Sequence, residues 1–155
     1  MEEVIARTGQ PAQYLKLEIT ESAVMAEPTR VLESMKRLRL AGIRFSIDDF
    51  GTGYSSLAYL QKLPVEEIKI DRSFVGQMSS QPGSAAIVRA TIELGGSLGL
   101  DVVAEGVEDE QTWEALKRMG CSAAQGYFIG RPMPVGELEG WLRNWSQRSA
   151  GSKAA

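Results

Sequence analysis

Short apolar runs alternate along this chain with longer stretches in which apolar residues recur at helical spacing. Val31, Leu32, Met35 and Leu38 repeat in this way, and Pro28 and Gly42 mark the start and end of that stretch. We predict strands at residues 15–19, 43–47, 67–70, 101–104 and 122–126. We predict helices at residues 28–41, 54–61, 84–98 and 109–119, and from residue 134 onward. The alternation indicates an α/β fold whose parallel strands are joined by right-handed crossovers.

The composition limits the classes of function that this chain can have. Its 155 residues are 43% hydrophobic and 24% charged with a net charge of −3, as in soluble globular domains, and no basic stripe favours a nucleic-acid polymer. No apolar run reaches the about 18 residues of a membrane span, and no secretory signal is visible, so we expect a cytoplasmic protein without membrane contact. The chain has no histidine, which excludes the commonest general base and imidazole-based zinc sites. The single cysteine, Cys121, excludes an internal disulfide and reads most simply as a small buried side chain.

Polar side chains stand at the carboxyl end of every predicted strand. They are Glu18, Glu21, Asp48, Asp49, Lys69, Asp71, Glu105, Glu108 and Gln125. The carboxyl ends of parallel strands meet at one edge, which is where α/β folds place their active sites. The pattern therefore predicts a functional site at that edge.

The chemistry of this edge depends on how its negative charges are balanced. Clustered carboxylates persist only with protons or cations between them, and without histidine the suitable cations are Mg²⁺ or Mn²⁺. Adjacent Asp48 and Asp49 could bridge two metal ions, and Lys69 could hold a water or a phosphate oxygen. Taken singly, each residue has a plainer explanation. The aspartates could cap the next turn, Glu18 and Glu105 could be surface charges, and Lys69 could be ion-paired.

Five segments together resemble the EAL-domain family in residues, order and spacing. They read LEITES at 17–22, IDDFGTGYSSL at 47–57, IKIDRSFV at 68–75, VVAEGVE at 102–108 and QGYFIGRPMP at 125–134. Members of that family are cyclic-di-GMP phosphodiesterases built on modified TIM barrels. The resemblance implies that the substrate is cyclic-di-GMP, that it is cut to linear pGpG, and that Mg²⁺ or Mn²⁺ is the cofactor.

The resemblance also implies roles for individual residues. The metal ligands that it implies are Glu18, Asp48, Asp49 and Glu105. Catalytic roles fall to Lys69, Glu105 and Asp48. Substrate binding falls to Gln125, Arg131 and Pro132. The residues that it implies support the loop after the second strand are Glu21, Gly51 and Gly53.

Two features of the family pattern are missing from this sequence. The Glu-Ala-Leu tripeptide occurs only at 114–116, inside a predicted helix, and the one asparagine, Asn144, lies near the end of the chain. We therefore predict a partial TIM (β/α) barrel of about five βα units in residues 1–146, with a disordered polar tail at 147–155. Two open edges and an apolar inner face would favour closure by self-association, as a homodimer or higher oligomer. GGDEF or sensory domains are expected, if present, outside this chain.

Three functions are consistent with these residues. The first is metal-dependent hydrolysis of cyclic-di-GMP, impaired by the missing ligands. The second is binding of cyclic-di-GMP without cleavage, and the third is a self-associating half-barrel with no activity.

Overall fold

Within residues 7, 9, 11–53 and 57–151, which a computed structural model describes, five parallel strands form one sheet in the order of the sequence. They are β1 (Lys16–Thr20), β2 (Arg44–Phe50), β3 (Glu67–Ile70), β4 (Asp101–Glu105) and β5 (Ala123–Gln125). The predicted parallel α/β sheet of five strands is confirmed. Consecutive strands are neighbours throughout, which is the arrangement of a barrel segment and differs from the reversed strand order of a doubly wound sheet.

Helices follow the strands along the chain. They are α1 (Glu21–Ala26), α2 (Pro28–Leu40), α3 (Leu57–Leu60), α4 (Arg72–Gln77), α5 (Pro82–Leu98), α6 (Glu110–Arg118) and α7 (Val135–Gly151), after a 3-10 turn at Ala12–Tyr14. The predicted helix at 54–61 is present as α3, and residues 54–56 lie outside the described residues. The backbone of α7 continues to Gly151, into the segment predicted as a tail, and residues 152–155 lie outside the described residues. None of the described helices is long and apolar enough to cross a membrane.

Two short helices that the sequence pattern did not predict begin at side-chain caps. The hydroxyl of Thr20 accepts a hydrogen bond from the Ala23 amide at 3.3 Å, which starts α1 directly after β1. The Asp71 carboxylate accepts one from the Ser73 amide at 3.0 Å and so starts α4. Asp71, one of the polar residues expected at the site edge, is therefore a helix cap.

The helices cover one face of the sheet and bury its apolar side chains. Phe45 and Ile47 of β2 pack in one core cluster with Met35 of α2. Val102 of β4 packs in a second cluster with Val88 of α5. Burial of these side chains is the main stabilisation of the fold.

The opposite face of the sheet is polar, and the expectation of an apolar inner face is wrong. Side chains alternate between faces along a strand, so the residues that flank Phe45 and Ile47 point away from the helices. The residues of this inner face include Lys16, Glu18, Ser46, Asp48, Glu67 and Lys69. Lys16 Nζ lies 2.7 Å from Glu67 Oε2, so the charges are paired across the sheet. The open sheet edges, however, remain a reason to expect self-association.

Candidate active site

The adjacent aspartates lie at an irregularity in β2. The pairing of β2 with β3 shifts register between Ile47 and Phe50, which marks a β-bulge. Asp49 has a φ of 54°, in the left-handed region that a residue with a Cβ seldom adopts. Its amide donates a hydrogen bond to Asp48 Oδ1 at 3.1 Å. Bulges and strained backbone of this kind recur beside active sites, where they redirect side chains.

The carboxylates of three strands converge on the ammonium group of Lys69. Lys69 Nζ on β3 lies 2.7 Å from Glu105 Oε1 on β4, 2.9 Å from Glu18 Oε2 on β1 and 3.2 Å from Asp48 Oδ1 on β2. An ammonium has three protons to donate, so each carboxylate can receive one of them. We call these four residues the Lys69 cluster. All four were predicted to lie at one edge of the sheet, and in the structure they are in contact.

The charge of Lys69 is fixed by these neighbours. The residue is only 6% exposed, and burial alone would lower its pKa. Hydrogen bonds to Glu105, Glu18 and Asp48 outweigh burial and raise the pKa above the ordinary lysine value. Lys69 therefore stays protonated at neutral pH, so it can donate hydrogen bonds but cannot act as a general base.

Glu21 holds the loop that follows the aspartates. It is 2% exposed, and its Oε2 accepts hydrogen bonds from the Gly51 amide at 3.1 Å and the Gly53 amide at 3.3 Å. A Cβ added to Gly53 would lie 2.9 Å from Glu21 Oε1, so only glycine leaves room for this carboxylate. Gly51 has a φ of 98°, which also favours glycine. The buried carboxylate thus connects α1 to the loop.

The cluster offers the donor type that Mg²⁺ and Mn²⁺ prefer, since all of its acidic groups are carboxylates. Three of the predicted metal ligands, Glu18, Asp48 and Glu105, already share one cationic partner, which indicates a place built for positive charge. Within the described residues, no three acidic or cysteine side chains are arranged to hold a metal ion by themselves. The fourth predicted ligand, Asp49, contacts the cluster through its backbone amide, which donates the hydrogen bond to Asp48 Oδ1. These carboxylates therefore suit a divalent ion, and in this structure the Lys69 ammonium is the cation that they contact.

The predicted substrate-binding residues lie at β5 and just beyond it. Gln125 is the register partner of Glu105, so it stands next to the cluster at the edge of the sheet. The Arg131 guanidinium lies 4.6 Å from the centre of the Tyr127 ring, and Pro132 is exposed. A groove of about 410 Å³ runs beside β5. Its lining includes Gln125, Gly126, Ile129, Gly130, Arg131 and Trp141.

Two features near the site were not predicted from the sequence. Ser46 is fully buried, and its hydroxyl is a buried side-chain polar atom without a hydrogen-bond partner among the described residues. The Lys16–Glu67 ion pair lies one inward-facing position before Glu18 and Lys69. Lys16 and Glu67 each precede a predicted site residue by two positions. Residues two apart on a strand share a face, so this spacing could have predicted the ion pair.

The fold and the site define an α/β protein with an acidic, cation-holding site at the carboxyl edge of a parallel sheet. The EAL domain family matches residues 1–132, so the chain belongs to the EAL-domain family of cyclic-di-GMP phosphodiesterases.

Named relatives show how this chain compares with longer proteins. It is 46% identical over 134 residues to the bifunctional diguanylate cyclase/cyclic di-GMP phosphodiesterase MucR of Pseudomonas aeruginosa, covering 86% of this chain and 20% of MucR. The solved c-di-GMP complex of the PaMucR phosphodiesterase superposes with a TM-score of 0.85 at 46% identity, over 88% of this chain and 55% of that one. The manganese/cy-diGMP complex of Klebsiella pneumoniae BlrP1 gives a TM-score of 0.77 at 33% identity, over 84% and 33% of the two chains. The chain thus spans about a fifth of the length of curated relatives such as MucR.

Proposed function

We propose that this chain carries the metal-dependent site that hydrolyses cyclic-di-GMP to linear pGpG. The observation that supports this most is the convergence of three carboxylates from three strands on one cationic position. Repulsion among such groups is tolerated only where positive charge is part of the site. The names of relatives with phosphodiesterase activity support the same proposal.

The residues proposed to hold Mg²⁺ or Mn²⁺ are Glu18, Asp48, Asp49 and Glu105. When bound, these ions supply charge stabilisation to the phosphodiester and lower the pKa of a coordinated water. Lys69, whose pKa the carboxylates raise in the metal-free site, is the residue we propose to donate a hydrogen bond to a phosphate oxygen or to the attacking water. Glu105, whose side chain is 20% exposed, is the carboxylate we propose as the proton acceptor from that water.

The groove beside β5 is the proposed place for a guanine base. Gln125 pairs in register with Glu105 and also lines the groove, as does Arg131, and the exposed Pro132 follows Arg131 in the chain. The lining of the groove includes apolar and glycine positions, which suits a flat ring, and the Arg131 guanidinium, which stacks on Tyr127, has donors that can face acceptor atoms of the base. Binding of the base here would bring an adjoining phosphate toward Glu105.

The direct test is incubation of the chain with cyclic-di-GMP and Mn²⁺, followed by chromatography for pGpG. We expect product from the unchanged chain, a loss of about 100-fold in rate for Asp48→Asn, and no loss for the exposed-site control Glu139→Gln. Product formation no faster than that of Asp48→Asn would reject catalysis by this chain. Calorimetric binding of cyclic-di-GMP without any turnover would favour the non-catalytic binding module instead.

We extend the proposal to assembly and location, with a second copy of the chain as the partner in a cytoplasmic homodimer. Val135, Leu138 and Leu142 lie on one face of α7 and are all exposed, which leaves an apolar stripe open to a partner. Sedimentation velocity at micromolar concentration should show a dimer or larger species, and Leu142→Glu should shift it toward monomer. A monomer for the unchanged chain would reject self-association.

A further inference from the structure

The carboxylates proposed as metal ligands already have a cation among them. Lys69 Nζ contacts Glu18, Asp48 and Glu105 at distances of 2.7 to 3.2 Å, and the lysine is buried. Metal–oxygen bonds to Mg²⁺ are shorter, about 2.1 Å, and the ion would draw on the same three carboxylates that the ammonium now contacts. A divalent ion bound by these carboxylates would therefore lie close to the ammonium, and the two positive charges would repel each other.

We propose that Lys69 is an internal counter-ion that competes with the divalent cation for these carboxylates. The inference rests on the proposed metal binding and adds to it a specific exchange. Without metal, the ammonium neutralises part of the carboxylate charge and connects β3 to β1, β2 and β4. When a divalent ion binds, its repulsion weakens the Lys69 ion pairs, and the ammonium releases at least one of the three carboxylates.

The burial of the cluster indicates where the exchange begins. The Glu18 side chain is 49% exposed, whereas those of Asp48 and Glu105 are 23% and 20% exposed. Glu18 is already the most hydrated of the three, so it can leave the ammonium for solvent most readily and accept the incoming ion first. The lysine thus acts as a positioning residue before it takes any part in the reaction.

The first experiment measures Mn²⁺ affinity by electron paramagnetic resonance, with the metal alone as the probe. We compare the unchanged chain, Lys69→Met and the control Lys117→Met, which removes an exposed lysine paired with Glu114. Competition predicts that Lys69→Met binds Mn²⁺ at least about tenfold more tightly, since a repelling charge is removed, while the control is unchanged. Equal or weaker binding by Lys69→Met would overturn the inference and leave the metal site standing. Absence of Mn²⁺ binding in every variant would overturn the metal proposal and this inference together.

The second experiment uses the unchanged chain, so that it stands even if Lys69→Met fails to fold. Acetic anhydride labelling followed by mass spectrometry measures the reactivity of each lysine with and without Mg²⁺. We expect labelling of Lys69 to rise at least about threefold when Mg²⁺ frees the ammonium from its partners, with Lys117 unchanged. Equal labelling of Lys69 in both conditions would show that the ammonium keeps its carboxylates and would overturn the exchange.

Discussion

Replacing Glu21 with alanine removes the acceptor that holds the loop after β2. In the structure the carboxylate is 2% exposed and accepts hydrogen bonds from the amides of Gly51 and Gly53 at 3.1 and 3.3 Å. Hydrogen bonds to a charged group contribute about 1.5–3 kcal/mol each, and the longer bond belongs at the low end of that range. Loss of both, with two amides left to find other partners, predicts that Glu21→Ala lowers the free energy of unfolding by about 3 kcal/mol.

The assay combines denaturant unfolding, followed by tryptophan fluorescence, with amide hydrogen exchange of the loop. Glu21→Gln keeps a carbonyl acceptor and should cost about 1 kcal/mol, and the exposed-site control Glu139→Ala should cost no more than about 0.5 kcal/mol. Exchange at the Gly51 and Gly53 amides should speed up in Glu21→Ala before global unfolding does. A Glu21→Ala protein as stable as the control, with unchanged exchange at these amides, would refute the role assigned to Glu21.

Further predictions concern packing and pH. Gly126→Ala should destabilise the protein by at least about 3 kcal/mol in denaturant unfolding, because the new Cβ would lie 2.1 Å from the Val107 carbonyl oxygen, whereas Gly136→Ala, with open space around it, should be close to neutral or stabilising. Burial raises the pKa of the Cys121 thiol, so a thiol reagent at about pH 8 should label the folded chain more slowly than the chain in denaturant, and equal rates would contradict this. The raised pKa of Lys69 predicts a free energy of unfolding that falls as the pH passes about 10.4, where the unfolded chain loses this proton and the folded chain keeps it. The slope above that pH should be shallower in Lys69→Met, and an equal slope would contradict the assignment.

The strands and the edge at which the site lies could be predicted because they depend on local patterns. Apolar runs such as residues 43–47 predicted β2, and the polar residue at the end of each run predicted the common edge. Helix α1 was missed because it is one short segment started by the Thr20 cap, without enough length to show periodicity.

The detailed geometry of the site could not be read from the chain. Lys69 and the carboxylates of Glu18 and Glu105 are far apart in sequence, and their contacts depend on the register between strands. The bulge at Asp49 shifts that register locally, and no spacing rule predicts it. The polar inner face was missed for a related reason. We interpreted each single charged residue within a short apolar run as the end of a strand. Because side chains alternate along a strand, these residues instead lie on the face of the sheet opposite the helices.

Anomalous diffraction from crystals soaked in manganese tests the central claim most directly, because it locates the ion without depending on turnover. We expect a peak among the carboxylates of Glu18, Asp48 and Glu105, with Lys69 Nζ moved away from at least one of them. Crystals of Asp48→Asn, soaked in the same way, should show a weaker peak or none. An unaltered Lys69 cluster with no peak beside it would contradict the proposal that this edge of the sheet binds divalent metal.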